Sequence, residues 1–107
     1  MKPEAFIAHL EGVYKKCIGV AKKKNADYSG SNADAFRNFD AVEFFGITDS
    51  KTGIMVRLTD KFTRIANLLT KDAKVVEESL QDSIEDAINY LAIMHAKLEA
   101  EKIKTKK

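Results

Sequence analysis

The chain has 107 residues, of which 45% are hydrophobic and 32% are charged, and its formal net charge is +2 at pH 7. This length fits a single domain, and the apolar fraction is too high for an intrinsically disordered chain. Four of the positive charges are lysines in residues 102–107. We therefore expect one helical domain over residues 1–101 followed by a lysine-rich tail over residues 102–107. Because the net positive charge depends on that tail and the rest of the chain is slightly acidic, a nucleic-acid partner is not expected.

The single cysteine, Cys17, excludes an internal disulfide, and a reducing, cytoplasmic setting fits it best. No apolar run approaches the roughly 18 residues of a transmembrane helix, and the charged start of the chain is not typical of a signal peptide. The sequence thus predicts a cytoplasmic protein without a membrane partner.

The first predicted helix covers residues 3–24, with proline in its first turn. Its apolar residues recur at spacings of three and four: Phe6, Ile7, Leu10, Val13, Tyr14, Cys17, Ile18 and Ala21. Residues 25–34 are rich in Asn, Asp, Ser and Gly, which favour turns, so a long loop is expected there. Loops of this length in a small domain are usually functional or mobile. Tyr28, in its middle, would either anchor the loop or stack on a ligand.

Three more helices are predicted after this loop. A short apolar helix over about residues 35–45 would begin at Asp34 as its cap and end at Gly46. The next helix would run to about residue 70, and it has three candidate caps: Thr48, Asp49 and Ser50. After a turn at residues 71–72, a last long helix would extend to about residue 101. With one proline and five glycines in the chain, we predict an all-α fold of three long helices and one short helix.

Polar residues form a stripe on the last predicted helix: Glu78, Asp82, Glu85 and Asn89. At about 100° per residue they fall within about 60° of one another, opposite an apolar stripe. Farther along the chain the same sector contains Ala92, Ile93, Ala96 and Ala100. We therefore expect this sector to pack on a neighbouring helix. Carboxylates packed there need compensation by basic side chains, a metal ion or proton uptake.

The preceding predicted helix has a polar stripe of its own: Arg57, Asp60, Arg64 and Asn67. It could be a solvent-facing surface, in which pairs such as Asp60 with Arg64 contribute a few tenths of a kcal/mol. It could instead face the acidic stripe and complete a cation and phosphate pocket, because Mg²⁺ takes oxygen ligands. Asp86 lies at the edge of the acidic stripe, where it could turn toward an ion. The Asn89 amide could hydrogen-bond a base or a sugar hydroxyl, or it could anchor a neighbouring helix.

Other common site motifs do not occur in the sequence. His9 and His95 stand apart from each other, and no Cys and His share the spacing of a zinc site. The glycines form neither a phosphate-binding loop nor a nucleophile elbow.

Several groups of residues resemble one protein family. In chain order they are Asp27 and Tyr28; Asn38, Phe39 and Gly46; Gly53, Ile54, Arg57, Asp60, Lys61, Arg64, Asn67 and Leu68; and Glu78, Ser79, Asp82, Asp86, Asn89 and Tyr90. Over about residues 24–93 the chain resembles the nucleotide-modification-associated domain of phages and bacteria, a divergent branch of the MazG-like all-α nucleoside triphosphate pyrophosphohydrolases. The resemblance implies a MazG-like helical bundle, completed across a homodimer, that binds a nucleotide with Mg²⁺.

The resemblance also implies roles for individual residues. The expected metal ligands are Asp60, Glu78, Asp82 and Asp86, and the expected catalytic residues are Asp82 and Glu85. The nucleotide would be bordered by Lys24, Tyr28, Asn38, Arg57, Lys61, Arg64 and Asn89. The expected reaction converts a nucleoside triphosphate into a monophosphate and pyrophosphate. The family's E-x-x-E and E-x-x-D motifs are not present literally, so nucleotide binding without hydrolysis stays open as an alternative.

Three functional hypotheses follow. The first is a Mg²⁺-dependent pyrophosphohydrolase acting on a ribo- or deoxynucleoside triphosphate, including modified ones. The second is a non-catalytic nucleotide sponge or regulatory subunit that uses the same cleft. The third is a helical interaction protein whose stripes are joined by salt bridges. A homo-oligomer is expected under all three, because the apolar side chains exceed what a monomer of this length covers.

Overall fold

The computed structural model describes the backbone of residues 1–29, 36–70 and 74–105, and the side chains of residues 1–24, 36–70 and 78–102. Within these ranges the chain forms α1 (Pro3–Ser29), α2 (Arg37–Phe44), α3 (Ser50–Leu69) and α4 (Lys74–Thr105). The described backbone contains no strand. The prediction of an all-α fold with three long helices and one short one is therefore confirmed.

Two predicted helix ends are wrong. Helix α1 continues through residues 25–29, where a loop was predicted, because Asn, Asp and Ser weaken a helix by only a few tenths of a kcal/mol each and an established helix extends easily. The rest of the predicted loop, residues 30–34, lies outside the described residues. Helix α4 reaches Thr105, so the lysine tail begins inside the helix, where cations near the C-terminus are favourable.

Local side-chain chemistry explains where α3 begins and α2 ends. Asp49 caps α3, since the Thr52 backbone N–H donates to its carboxylate at 3.0 Å. Hydrogen bonds from the Thr52 hydroxyl and backbone lower the pKa of Asp49. Gly46 follows α2 with a φ of 72°, the left-handed conformation that glycine adopts without strain. Gly46 was predicted in this role and Asp49 was one of three candidate caps, whereas the predicted cap Asp34 lies outside the described residues.

Helices α3 and α4 form an antiparallel hairpin. Lys51, in the first turn of α3, pairs with Glu101 at 2.7 Å. Lys61, farther along α3, pairs at 3.1 Å with Asp86, which comes earlier in α4. The core cluster along this hairpin contains three buried side chains: Ile54, Leu58 and Ala87.

Helix α2 crosses one side of the hairpin. The Phe39 ring meets Tyr90 of α4 edge to face, with 6.0 Å between ring centroids, and the Arg57 guanidinium of α3 lies 4.7 Å above the Phe39 centroid. Lys97 of α4 binds Asp40 at 2.7 Å, and this hydrogen bond raises the pKa of Lys97. Aromatic packing and an ion pair thus hold α2 in place.

Helix α1 docks on α4 beside α2. Cys17 is only 3% exposed, and the Asn89 side-chain amide donates to the Cys17 carbonyl at 3.0 Å. Burial raises the pKa of the Cys17 thiol, so the thiol stays protonated and acts as a small apolar group. Over the described residues, none of the helices combines the length and apolarity needed to cross a membrane.

The buried core is narrower than the apolar faces of α3 and α4. On α3, Leu58 is buried, but Phe62 is 51% exposed and Leu69 is 68% exposed. On α4, Ile84 and Leu91 remain 42% and 50% exposed. One side of the hairpin therefore has no covering layer within the described part of the chain.

Candidate functional site

Three helices meet at Asp86. Its Oδ1 lies 2.9 Å from Nζ of Lys24 on α1, and its Oδ2 lies 3.1 Å from Nζ of Lys61 on α3. Each carboxylate oxygen of this α4 residue is thus held by a different helix. We call Lys24, Lys61 and Asp86 the lysine–aspartate cluster.

The cluster is only partly open to solvent. The Asp86 side chain is 18% exposed, and those of Lys61 and Lys24 are 26% and 46% exposed. Burial acts to raise the pKa of Asp86, but hydrogen bonds and charge from Lys24 and Lys61 outweigh it, and the net pKa is lowered. Asp86 is therefore ionised at neutral pH. Two ammonium groups against one carboxylate leave an excess of one positive charge.

A second ion pair joins the acidic stripe to α1. Glu85 is 8% exposed, and its Oε2 lies 3.2 Å from Nζ of Lys16. The Glu85 hydrogen bond and charge raise the pKa of Lys16, with smaller contributions from Asp82 and Glu78. The carboxylates of Glu78, Asp82 and Glu85 therefore all favour the charged form of Lys16 on α1. The predicted packing of the polar sector is correct for Glu85 and Asn89, whereas Glu78 and Asp82 are exposed.

The predicted nucleotide-binding residues are only partly brought together. Lys24 and Lys61 meet at Asp86, whereas Arg64 is exposed on α3. Arg57 turns toward α2, where it covers Phe39 and its Nη2 lies 3.5 Å from the Asn38 carbonyl oxygen. The side chain of Tyr28, a further predicted contact, lies outside the described residues.

Asn38 and Asn89 contribute to helix packing in this structure. Asn38 contacts Arg57 through its backbone carbonyl. The Asn89 side-chain amide donates a hydrogen bond to the Cys17 carbonyl. This contact holds α1 against α4, which is one of the two roles that the sequence left open for Asn89. Both residues thus position elements around the cluster.

The predicted metal ligands do not converge. Asp86 is held by two lysines, and Asp60 is exposed on α3, about 100° around the helix from Lys61. Among the described residues, no three His, Cys, Asp or Glu side chains form a group that could hold a metal ion. Glu78 and Asp82 are exposed one turn apart on α4. Such a pair fits Mg²⁺, which is usually held by one or two carboxylates together with waters and substrate phosphates.

Lys16 is a residue of this site that sequence reasoning missed. It stands among several lysines of α1, and helical periodicity does not single it out. The signal that could have found it is charge complementarity, because a lysine-rich helix and a stripe of carboxylates are natural neighbours. Only the docking angle of α1 selects Lys16 from the other lysines.

Comparisons of the chain with protein-family models, with curated proteins and with solved structures each gave no match. The interpretation of the cluster therefore depends on its geometry and on the chemistry of its side chains.

Proposed function

We propose that this chain binds a nucleoside triphosphate through its phosphates at the lysine–aspartate cluster. The observation that supports this is the convergence of Lys24 and Lys61, from two helices, on one half-buried carboxylate. Charge-assisted hydrogen bonds from ammonium to phosphate are stronger than neutral ones, and more so in a site partly removed from water. A lysine ammonium has three N–H donors, so Lys61 can hold Asp86 and a phosphate oxygen at the same time.

In this proposal Asp86 acts by positioning. It holds ammonium groups of α1 and α3 at a common point before the ligand arrives, so less side-chain freedom is lost on binding. Arg64 is exposed on α3 one turn after Lys61, and its proposed role is to bind a more distant phosphate. Tyr28 is kept as a proposed contact to the base.

We extend the proposal to Mg²⁺-dependent pyrophosphohydrolysis, which would release a nucleoside monophosphate and pyrophosphate. Glu78 and Asp82 are the ligands proposed for Mg²⁺, which would supply positive charge to the triphosphate. Asp82, with an exposed carboxylate, is also the group proposed to accept the proton of the attacking water. Glu85 is bound to Lys16, so its role here is to position the acidic stripe.

Two matched lysine substitutions test nucleotide binding. Lys61→Met and Lys51→Met each remove one charge from α3 and one ion pair to α4. Calorimetric titration with ribo- and deoxynucleoside triphosphates in MgCl₂ should show binding to the unsubstituted chain. Lys61→Met should weaken it at least about tenfold, or about 1.4 kcal/mol, while Lys51→Met should leave it unchanged. Failure of every nucleotide to bind the unsubstituted chain would sink the proposal.

A pyrophosphate-release assay separates an enzyme from a binding protein. For an enzyme, a nucleotide that binds should be cleaved, and Asp82→Ala should abolish release. Tight binding of a ligand that is recovered intact would instead identify a non-catalytic sponge or regulatory protein that uses the same cluster.

The second candidate function is that of a helical interaction protein. It is favoured by the pairing of buried and half-buried carboxylates with lysines of neighbouring helices, as in Glu85 with Lys16 and Asp86 with Lys24 and Lys61. Under this reading Lys61→Met and Lys51→Met should lower the thermal midpoint by similar amounts. Neither nucleotide nor Mg²⁺ should then change the unfolding of any variant.

A further inference from the structure

Helix α1 is anchored differently from the other three helices. The core cluster is built from α3 and α4, with Phe39 of α2 packed against it, and it contains no described side chain of α1. Among residues 1–24 only Cys17 is buried. Burial of apolar surface is the main source of stability for a docked helix, and this source is small for α1. Four of its large apolar side chains are 50% to 55% exposed: Phe6, Ile7, Tyr14 and Ile18.

Polar contacts hold α1 against the rest of the fold. Nζ of Lys16 lies 3.2 Å from Oε2 of Glu85. Nζ of Lys24, about two turns farther along α1, lies 2.9 Å from Oδ1 of Asp86. One hydrogen bond from α4 to the α1 backbone adds to these contacts. We call the two ion pairs, Lys16 with Glu85 and Lys24 with Asp86, the ionic latch.

The ionic latch is part of a wider attraction between two charged surfaces. Asp82 and Glu78 of α4 also raise the pKa of Lys16, so they attract α1 from beyond the direct contacts. Attraction between partly exposed charges weakens as the Debye length falls from about 10 Å at 0.1 M salt to about 3 Å at 1 M. Docking of α1 should therefore depend on ionic strength. Residues 15–24 contain no acidic residue and five lysines: Lys15, Lys16, Lys22, Lys23 and Lys24.

A helix held mainly by partly exposed ion pairs opens more readily than the rest of a fold. Such pairs contribute little to stability individually, and weakly packed elements open locally at a lower free energy than global unfolding. Helices α2, α3 and α4 keep their core cluster when α1 leaves, because no described α1 side chain belongs to it. Undocking of α1 would also separate Lys24 from Lys61 and Asp86, and so take the lysine–aspartate cluster apart.

We propose that α1 docks on the other three helices and undocks from them as a unit, and that the ionic latch controls this motion and thereby the assembly of the phosphate site. A phosphate held by both Lys24 and Lys61 binds only the docked state. By linkage, such a ligand stabilises docking by as much as docking strengthens its binding. This effect of a ligand rests on the proposed nucleotide binding, whereas the motion itself does not.

Cys17 can report the motion, because it is the single thiol of the chain and is 3% exposed. Iodoacetamide, an uncharged reagent, should alkylate Cys17 of the folded chain at a rate that depends little on low urea concentrations, as local opening does. The rate should rise about threefold or more between about 0.1 M and about 1 M NaCl, because salt screens the ionic latch. A short cysteine peptide at each salt concentration corrects for effects on the reagent. Alkylation with the full urea dependence of global unfolding and no effect of salt would overturn the proposal.

Matched ion-pair variants separate undocking of α1 from a general loss of stability. Asp86→Asn and Glu85→Gln each break one pair of the ionic latch, and each should speed alkylation of Cys17 about tenfold, or by about 1.4 kcal/mol. Asp40→Asn is the control, because its pair with Lys97 joins α2 to α4 and does not involve α1. The control should leave the rate within about twofold, as expected for a distant, independent site. Equal acceleration by all three variants would contradict the ionic latch.

The nucleotide of the calorimetric titration tests the link between docking and the phosphate site. A nucleoside triphosphate that binds in MgCl₂ should slow alkylation of Cys17, because docked α1 supplies Lys24 to the phosphates. Binding that leaves the alkylation rate unchanged would contradict control of the phosphate site by α1. Failure of every nucleotide to bind would sink the proposed function alone, since the salt and variant measurements test undocking without a ligand.

Discussion

At the scale of single residues, Asp86 is the side chain that connects the largest number of helices in the candidate site. It joins α1, α3 and α4 through two lysine contacts, and its pKa is lowered by them against the opposing effect of burial. A carboxyl group with a lowered pKa in the folded state stabilises the fold above its unfolded pKa of about 3.9. That contribution is lost as the pH falls through the lower, folded pKa.

Asp86→Asn should therefore destabilise the chain at neutral pH and much less in acid. We expect a loss of about 1–2 kcal/mol at pH 7, because two lysines lose the anion to which they are bound. The difference from the unsubstituted chain should shrink below about pH 4, as Asp86 takes up its own proton. Urea unfolding at pH 7 and pH 3 measures both values. Glu78→Gln, at an exposed carboxylate, is the control, and an equal loss for Asp86→Asn at both pH values would contradict the assignment.

At the scale of elements, α2 and α3 come into close contact at Gly53. A Cβ atom built there would lie 3.0 Å from Cγ2 of Val42, which is tighter than ordinary van der Waals contact. In a helix interior alanine is favoured over glycine by about 1 kcal/mol. Steric overlap opposes that gain, because Val42 has little freedom to rotate within a helix.

Gly53→Ala is accordingly expected to destabilise the chain by about 1 kcal/mol, because α2 must move away from α3. Combining it with Val42→Ala should remove the clash, so the two substitutions should be strongly non-additive in a double-mutant cycle. Gly19→Ala is the control in α1, where an added Cβ meets nothing within 4 Å. It should stabilise by about 0.5–1 kcal/mol. Thermal or urea unfolding measures the stability of Gly53→Ala, Val42→Ala, their combination and Gly19→Ala. If the changes in free energy of unfolding caused by Gly53→Ala and Val42→Ala simply add, the close contact is refuted.

The helices themselves could be predicted because their signals are local. Apolar spacing, the Asp49 cap and the Gly46 stop depend on residues within a turn or two of each other. The end of α1 could not be predicted in this way. Residues 25–29 individually favour turns, yet they continue a helix that is already formed. Intrinsic propensity is a weak preference that an existing helix overrides.

At the scale of the whole molecule, the homo-oligomer expected from the sequence would link the fold to its stability. Exposed apolar side chains such as Phe62 and Leu91 would be buried only in the oligomer, so part of the free energy of unfolding would come from association. Stability would then depend on chain concentration by mass action.

The thermal midpoint of the unsubstituted chain should consequently rise with concentration. A hundredfold increase is expected to stabilise the dimer by about 2.7 kcal/mol. The midpoint of Phe62→Glu should change less over the same range, because a carboxylate on this exposed apolar side of the hairpin disfavours association. Scanning calorimetry at several concentrations measures both, and a concentration-independent midpoint for the unsubstituted chain would argue against the dimer.

The candidate site was predictable in its residue types and only partly in its contacts. A stripe containing Glu78, Asp82 and Glu85 follows from 3.6-residue periodicity, and the pairing of Lys61 with an acidic residue of α4 was an available compensation. The partner Lys16 and the use of Asn89 on the Cys17 carbonyl could not be read from the chain. Such contacts join residues about 70 positions apart, and they depend on the angle at which α1 crosses α4.

The sequence by itself determined the helical class, the Gly46 stop and the polar and apolar faces, because these arise from the backbone and from neighbours one turn away. It did not determine which half of each apolar stripe is buried. Tertiary structure decided that α1 and α2 cover only one side of the hairpin, which leaves Phe62 and Leu91 exposed. It also decided that Asp86 faces two lysines rather than other carboxylates. The physical reason is that helix docking depends on packing over the whole domain. A periodic pattern identifies the apolar or polar face of a helix, but it does not identify the element that packs against that face.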